Sequence, residues 1–275
     1  MRLGLPHDPP EHLTSIGDWQ PTDWGWRVAA DVSETDAHDL LAEARINGWA
    51  SSKPNKYLAN DWPQLIVMDV DSTLIDAEVI DLLAAAAGTQ RQVASITAQA
   101  MHGELDFEES LQRRVATLAG LPESVLSDVS DAIDITPGSK ELVDFAKGKN
   151  IRVGVISGGF IEVIGPLAHG LGIDYVSANR LEVADGHLTG RTIGRIVDRA
   201  MKAELLIDYA SQCGADLDRV VAIGDGANDL DMLAAAGMGT AFCAKPITAA
   251  ASDSCIGFRR LDAALALFGP LPKKT

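Results

Sequence analysis

Cysteine is scarce: Cys213, Cys243 and Cys255 are the only three in 275 residues, an odd number at wide spacing with no CxxC pair. A disulfide framework or a cysteine-held zinc site is therefore not what organises the chain. Positive charge is also thin. Lys and Arg total 23 against 39 Asp and Glu, a formal net charge of −16, so most of the surface repels a phosphate backbone or an anionic bilayer. Neither nucleic acid nor a membrane is an expected partner. A small phosphorylated metabolite stays compatible, because one bound divalent cation inverts the field inside a cleft whatever the charge outside. Long hydrophobic runs are missing as well. Leu82 to Ala87 is among the longest, far short of the ~20 residues that span a bilayer, and MRLGLPHDPPEH has no apolar leader region. A soluble, reduced, cytoplasmic protein is the expectation.

Apolar residues make up 47% of the chain, enough for a folded core. All five tryptophans fall within the first 62 residues, which marks a boundary near Asn60 to Pro63. Before it, Trp26 to Val32 reads as a strand and Thr35 to Trp49 as a helix with Thr35 as N-cap. One strand and one helix make residues 1–62 a small N-terminal α/β appendage, whose tryptophans could cover the core or form a homodimer contact.

From Gln64 the pattern changes to short continuous apolar runs: LIVMDV (65–70), IRVGVIS (151–157), RVVAIGD (219–225) and a weaker GTAFCA (239–244). Such runs fit strands covered on both faces, so the expected fold class is α/β, a Rossmann-like parallel sheet flanked by helices. Helical patterns at Ala77–Ala87, Thr89–His102, Asp106–Ala119 and Pro122–Ile133 exceed one crossover. They are expected as a helical cap (77–136) inserted into a core formed by 63–76 and 137–275.

Two of these runs end in acids. In DVDST, Asp69 and Asp71 are two residues apart on extended chain and project together at the carboxyl end of a strand, where open α/β sheets bind ligands. In GDGANDLDM, Asp225 ends another strand, and Asn228 and Asp229 open the next helix. Acids at two strand ends favour one hard-cation site with oxygen ligands, Mg²⁺ first. The SGGF segment places Ser157 and Gly158 at a third strand end, where a hydroxyl and open backbone N–H groups suit a phosphate. Lys202 lies in a helix one crossover before the Asp225 strand, and spacing alone gives it no role.

Taken in order, DVDST, SGGF, the helical lysine and GDGAND resemble the four motifs of the haloacid dehalogenase superfamily. The strings DVDSTLIDAEVID (69–81), MHGELDFEESLQRRV (101–115) and VAIGDGANDLDML through AFCAKP (221–246) are most similar to its phosphoserine phosphatase family. The resemblance spans roughly 65–265 and leaves the first sixty residues aside.

It implies Mg²⁺-dependent hydrolysis of O-phospho-L-serine, the last step of serine biosynthesis, with Asp69 as nucleophile and Asp71 as general acid and base. It assigns the metal to Asp69, the Asp71 backbone carbonyl and Asp225, with Asp229 orienting a metal-bound water. Ser157, Gly158, Lys202 and Asn228 hold the phosphoryl oxygens. Glu78 faces the substrate ammonium and Arg114 its carboxylate, while Met101 and Phe107 close the pocket. Transfer of the phosphoryl group to homoserine, another small phosphoester as substrate, and a non-catalytic metabolite sensor on the same fold remain alternatives at this point.

Overall fold

In a computed structural model of the protein, residues 1–270 are described; residues 271–275 of the expected core segment lie outside the described residues. The N-terminal part holds β1 (Arg2–Leu5), β2 (Gln20–Thr22), β3 (Gly25–Ala29), helix α1 (Glu34–Asn47) and β4 (Ala50–Ser52). One strand and one helix were too few for this segment. Its extra strands are three to four residues long, and QPT and ASS carry no apolar alternation to reveal them. Ser33, not Thr35, caps α1, because its hydroxyl accepts the Asp36 N–H at 3.2 Å while Thr35 already lies inside the helix.

The segment has a small core of its own, Leu3, Leu5, Leu13, Val28, Ala44 and Trp49. It is also fastened to the rest of the chain. Buried Arg2 donates to the carbonyls of Ala59 at 2.7 Å, Phe268 at 3.3 Å and Gly269. None of the five tryptophans is exposed. Trp24 packs on Phe258 and Trp62 meets Phe145 edge-on, with centroids 5.5 and 5.0 Å apart, so these rings cover the main core.

After β5 (Leu65–Met68) the chain makes a tight turn at Val70–Leu74 and runs through α2 (Val79–Ala87), α3 (Gln90–Met101), α4 (Phe107–Ala116) and α5 (Val125–Asp131). It returns by α6 (Ser139–Gly148), β6 (Arg152–Phe160), α7 (Ile161–Leu171), β7 (Tyr175–Ala184) and β8 (His187–Ile193). Next come α8 (Arg199–Cys213), β9 (Val220–Gly224), α9 (Leu230–Ala235), β10 (Met238–Phe242), α10 (Pro246–Ala251) and β11 (Ser254–Ile256).

Among the described residues the eleven strands form one sheet, in the order β2-β3-β1-β4-β11-β10-β9-β5-β6-β7-β8. Its centre, β11 through β7, is parallel, as continuous apolar runs require: every residue of β5 and β9 is fully buried between helices. The N-terminal strands extend this sheet, since β4 pairs antiparallel with β11 through Ser52↔Ser254 and Ser51↔Cys255.

Helices α2–α5 follow the carboxyl end of β5, and the two connections to them meet in a bridge, Ile75↔Ile135. The β7–β8 hairpin braces the turn between α4 and α5, where Gly120 N–H donates to Leu188 O and Leu188 N–H to Leu121 O, both at 2.8 Å. Among the described residues no helix is long and apolar enough to cross a membrane.

Candidate active site

Parallel strands of an open sheet deliver their carboxyl ends to one crevice, and β5, β6 and β9 are adjacent. Asp69, Ser157 and Asp225 therefore arrive together although 156 positions separate the first from the last. One carboxylate oxygen from each of Asp69, Asp225 and Asp229 lies within 4.8 Å of the others.

Lys202 reaches the same point from α8, whose N-cap Asp198 accepts Met201 N–H at 2.8 Å. Its ammonium donates to Asp69 Oδ1 at 2.7 Å and Asp229 Oδ1 at 2.6 Å, and the three side chains are 0–5% exposed. Burial pulls the Lys202 ammonium down, but the charges of Asp69 and Asp229 outweigh it and hold the group above its ordinary value. Asp69 also stands well above its ordinary value, through burial and then the charge of Asp229, with Lys202 opposing. Lys202 remains the cation of this group, and its single charge is too little for the carboxylates around it.

That charge excess tests the fit of a metal. Asp225 is likewise raised by burial and by Asp229, while its Oδ1 accepts the Thr73 hydroxyl at 3.2 Å. Three clustered carboxylates with one ammonium are an all-oxygen donor set short of positive charge, as a hard divalent cation requires. Asp229 has both oxygens engaged by protein donors, Oδ1 by Lys202 and Oδ2 by the Gly226 N–H at 3.0 Å. Neither of its oxygens is thus without a protein donor.

Asp71 lines the same crevice with partners of its own. Its Oδ1 accepts Val79 N–H at 2.7 Å and its Oδ2 the Ser157 hydroxyl at 2.8 Å; Ser157 Oγ in turn accepts Gly159 N–H at 2.7 Å. Burial raises Asp71, and the bonds from Val79 and Ser157 work against that rise. Gly159 is required here by close approach, since a Cβ would stand 2.9 Å from Asp71 Oδ2.

Above these groups lies a cavity of about 300 Å³ lined by Asp69, Asp71, Asp225, Gly158 and Asn228 on the sheet side and by Glu78, Phe107 and Arg114 on the helical side. The Phe107 ring lies over Gly158, whose Cβ would be 3.4 Å from its Cζ. Glu78 precedes α2. Although its side chain still reaches solvent, partial burial among neighbouring atoms, and then the charge of Asp71, push its carboxyl up to about 7. A carboxylate so destabilised gains much from a cationic partner. Arg114, half-buried on α4, donates from Nε to Ser110 O at 3.3 Å, and burial lowers it from its ordinary value. Met101 is not brought to the cavity: at the end of α3 its side chain is 70% exposed.

Several contributing residues escape sequence reasoning. Thr73 supports Asp225 from inside the first motif. Buried Asn179, on β7, donates to Gly158 O and accepts Val197 N–H, both at 2.8 Å, and so sets the Gly158 peptide. Lys245 joins the cavity lining from the AKP segment. Thr73 and Lys245 sit within quoted motifs and could have been flagged there. Nothing local marks Asn179.

The haloacid dehalogenase-like hydrolase family model matches residues 66–234. A phosphoserine phosphatase of Mycobacterium tuberculosis is 54% identical over 206 residues, 75% of this chain and 50% of that protein. The chain thus spans half the length of that relative. One from Lactococcus lactis is 49% identical over 210 residues, covering 76% of this chain and 97% of that one. A solved phospho-aspartyl intermediate analogue of phosphoserine phosphatase shares 41% identity with a TM-score of 0.70, over 74% of this chain and 98% of that one. With the clustered acids at the ends of β5 and β9, these matches place the chain in the haloacid dehalogenase-like hydrolases and, within them, in the phosphoserine phosphatase family.

Proposed function

We propose that the protein hydrolyses O-phospho-L-serine to L-serine and phosphate through a phosphorylated Asp69, with Mg²⁺ as its resident cation. The observation that carries this is a single cavity with Asp69 and Asp71 on one wall and a Glu78–Arg114 pair on the other. One wall suits a phosphate ester, the other an amino acid.

An Asp69 oxygen attacks phosphorus, and the bond from phosphorus to the seryl oxygen breaks with its electron pair on that oxygen. Asp71 supplies the proton this oxygen needs, and burial favours the protonated form. Water then attacks phosphorus. Asp71 takes its proton, the bond from phosphorus to Asp69 breaks, and phosphate leaves with Asp69 restored. Held by Asp69, Asp225 and the Asp71 carbonyl, with Asp229 beside it, a divalent cation would weaken the repulsion between the carboxylate and the phosphate dianion. Ser157, the Gly158 N–H, Asn228 and Lys202 would hold the equatorial oxygens, where charge spreads most in the transition state. For that, the Ser157 hydroxyl turns from Asp71 to the substrate.

The inserted segment 77–136 acts in this reading as the specificity cap over the core. Its Glu78 takes the ammonium, and the planar Arg114 fork takes the carboxylate.

Phosphate release measured with added Mg²⁺ should be lost on chelation. Arg114→Ala should lower kcat/KM for phosphoserine by about a hundredfold, the worth of one charged, bidentate contact, and that for an aryl phosphate far less. Equal losses for both substrates would mean that Arg114 does not read the carboxylate. Adding homoserine without change in phosphate yield would separate hydrolysis from transfer.

A further inference from the structure

The first-motif turn carries two features that the chemistry above does not use. Ser72 adopts φ 57°, ψ 2°, the left-handed region that a serine rarely occupies. In that conformation its hydroxyl donates to Glu78 Oε1 at 2.9 Å and its N–H donates to Ala77 O at 3.1 Å. Its carbonyl accepts Arg259 Nη1 at 3.0 Å.

Arg259 comes from the far end of the chain, after β11. Its guanidinium stacks 5.4 Å from the Phe242 ring centroid, and Nη2 reaches Thr136 Oγ1 at 3.1 Å and Asp76 Oδ1 at 2.8 Å. Asp76 and Thr136 stand on the two connections that join α2–α5 to the sheet. The Arg259 Nε is buried without a hydrogen-bond partner among the described residues. A strained backbone and an unsatisfied buried donor thus meet in one link. Such costs persist where the surroundings enforce them, commonly at functional sites.

We propose that Ser72 is the positioning residue that presents Glu78 to the substrate ammonium, and that Arg259 holds Ser72 in the left-handed turn this requires. The inference rests on the reading of Glu78 as the ammonium partner. The Ser72 hydroxyl engages Oε1 alone, which fixes the carboxylate and leaves Oε2 for the ligand. Without the Arg259 anchor the turn relaxes toward an ordinary backbone conformation, and the hydroxyl leaves Glu78. The same guanidinium ties this subsite to both connections of the helical segment, so the recognition group and the frame that carries it are set by one residue.

The test compares phosphoserine with 3-phosphooxypropanoate, which keeps phosphate and carboxylate at the same spacing and lacks the ammonium. Ser72→Gly removes the hydroxyl at a φ that glycine tolerates; Arg259→Met removes the donors, and Arg259→Lys serves if the methionine variant fails to fold. In Ser72→Gly and the Arg259 variant, the ratio of kcat/KM for phosphoserine to that for 3-phosphooxypropanoate should fall about tenfold, through KM, as expected for a weakened charge-assisted hydrogen bond. In a Glu78→Gln background, Ser72→Gly should lower that ratio no further, because both changes act on one interaction. Equal losses on the two substrates, or full additivity with Glu78→Gln, would overturn the proposal. A Glu78→Gln protein with an unchanged ratio would instead remove the ammonium reading beneath it.

Discussion

Asp69→Asn should lower phosphate release from phosphoserine by on the order of 10⁵-fold, the scale seen when a nucleophile is deleted from a covalent mechanism. The melting temperature should hardly move. Asparagine is isosteric, and its carbonyl oxygen can still accept from Lys202, which sits 2.7 Å from Asp69 Oδ1. The change also deletes a buried charge from a group in which Asp69 and Asp229 share one ammonium. Relief of that repulsion offsets the weakened ion pair. Activity and stability are therefore expected to separate. Phosphate assays beside thermal melts would check this, and rapid quenching with ³²P-labelled phosphoserine should trap label on the wild type and none on the variant. Retention of a tenth of the activity would place the nucleophile elsewhere.

The site residues that could be read from the chain are those whose position follows from a strand ending. Asp69, Asp225 and Ser157 each close a continuous apolar run, and adjacent parallel strands bring their ends together without further information. What the runs conceal is anything held by side-chain pairing at long range. The edge of the parallel region illustrates this. ASS and SCI form β4 and β11 although they have no apolar alternation, because their buried hydroxyls are satisfied: Ser52 donates to Leu267 O at 2.7 Å, and Ser254 meets Thr240 at 2.7 Å. Such partners, 215 and 14 residues away, leave no local trace.

The β7–β8 hairpin is different, since its signal is present. Asp185 and Gly186 form a two-residue turn with φ 50° and 72° between alternating strands. It interrupts no continuous apolar run, because β7 is only partly buried along most of its length. Missing that hairpin also hides Asn179, hence the support of the Gly158 peptide. Arg259 is hidden for a third reason: three arginine or leucine neighbours in FRRLD look like a solvated stretch, and only the fold shows which guanidinium turns inward.

Lys202 is a residue to which spacing alone gives no role, and its removal should do most to the fold. Lys202→Met keeps the length and apolar stem of a side chain that is 1% exposed, and deletes the one positive charge between Asp69 and Asp229. Two carboxylates at 5% and 0% exposure then face each other without a counter-ion. Breaking a buried pair by removing one partner costs about 3–5 kcal/mol, and at roughly 2–4 °C per kcal/mol for a domain of this order the melting temperature should drop by about 6–20 °C in chelator. Saturating Mg²⁺ should restore a large part of the loss, since a divalent cation among the same oxygens supplies the missing charge and binds only the folded state. Wild type should gain less from the cation, because Lys202 already neutralises part of the group. Turnover in the rescued variant should still fall by on the order of 10²–10³, the usual worth of one preorganised donor to a charged transition state. Thermal melts of both proteins with chelator and with Mg²⁺ decide the matter. If the variant melts like wild type without the cation, the buried acids are not in tension, and the charge argument for a metal at this site loses its basis.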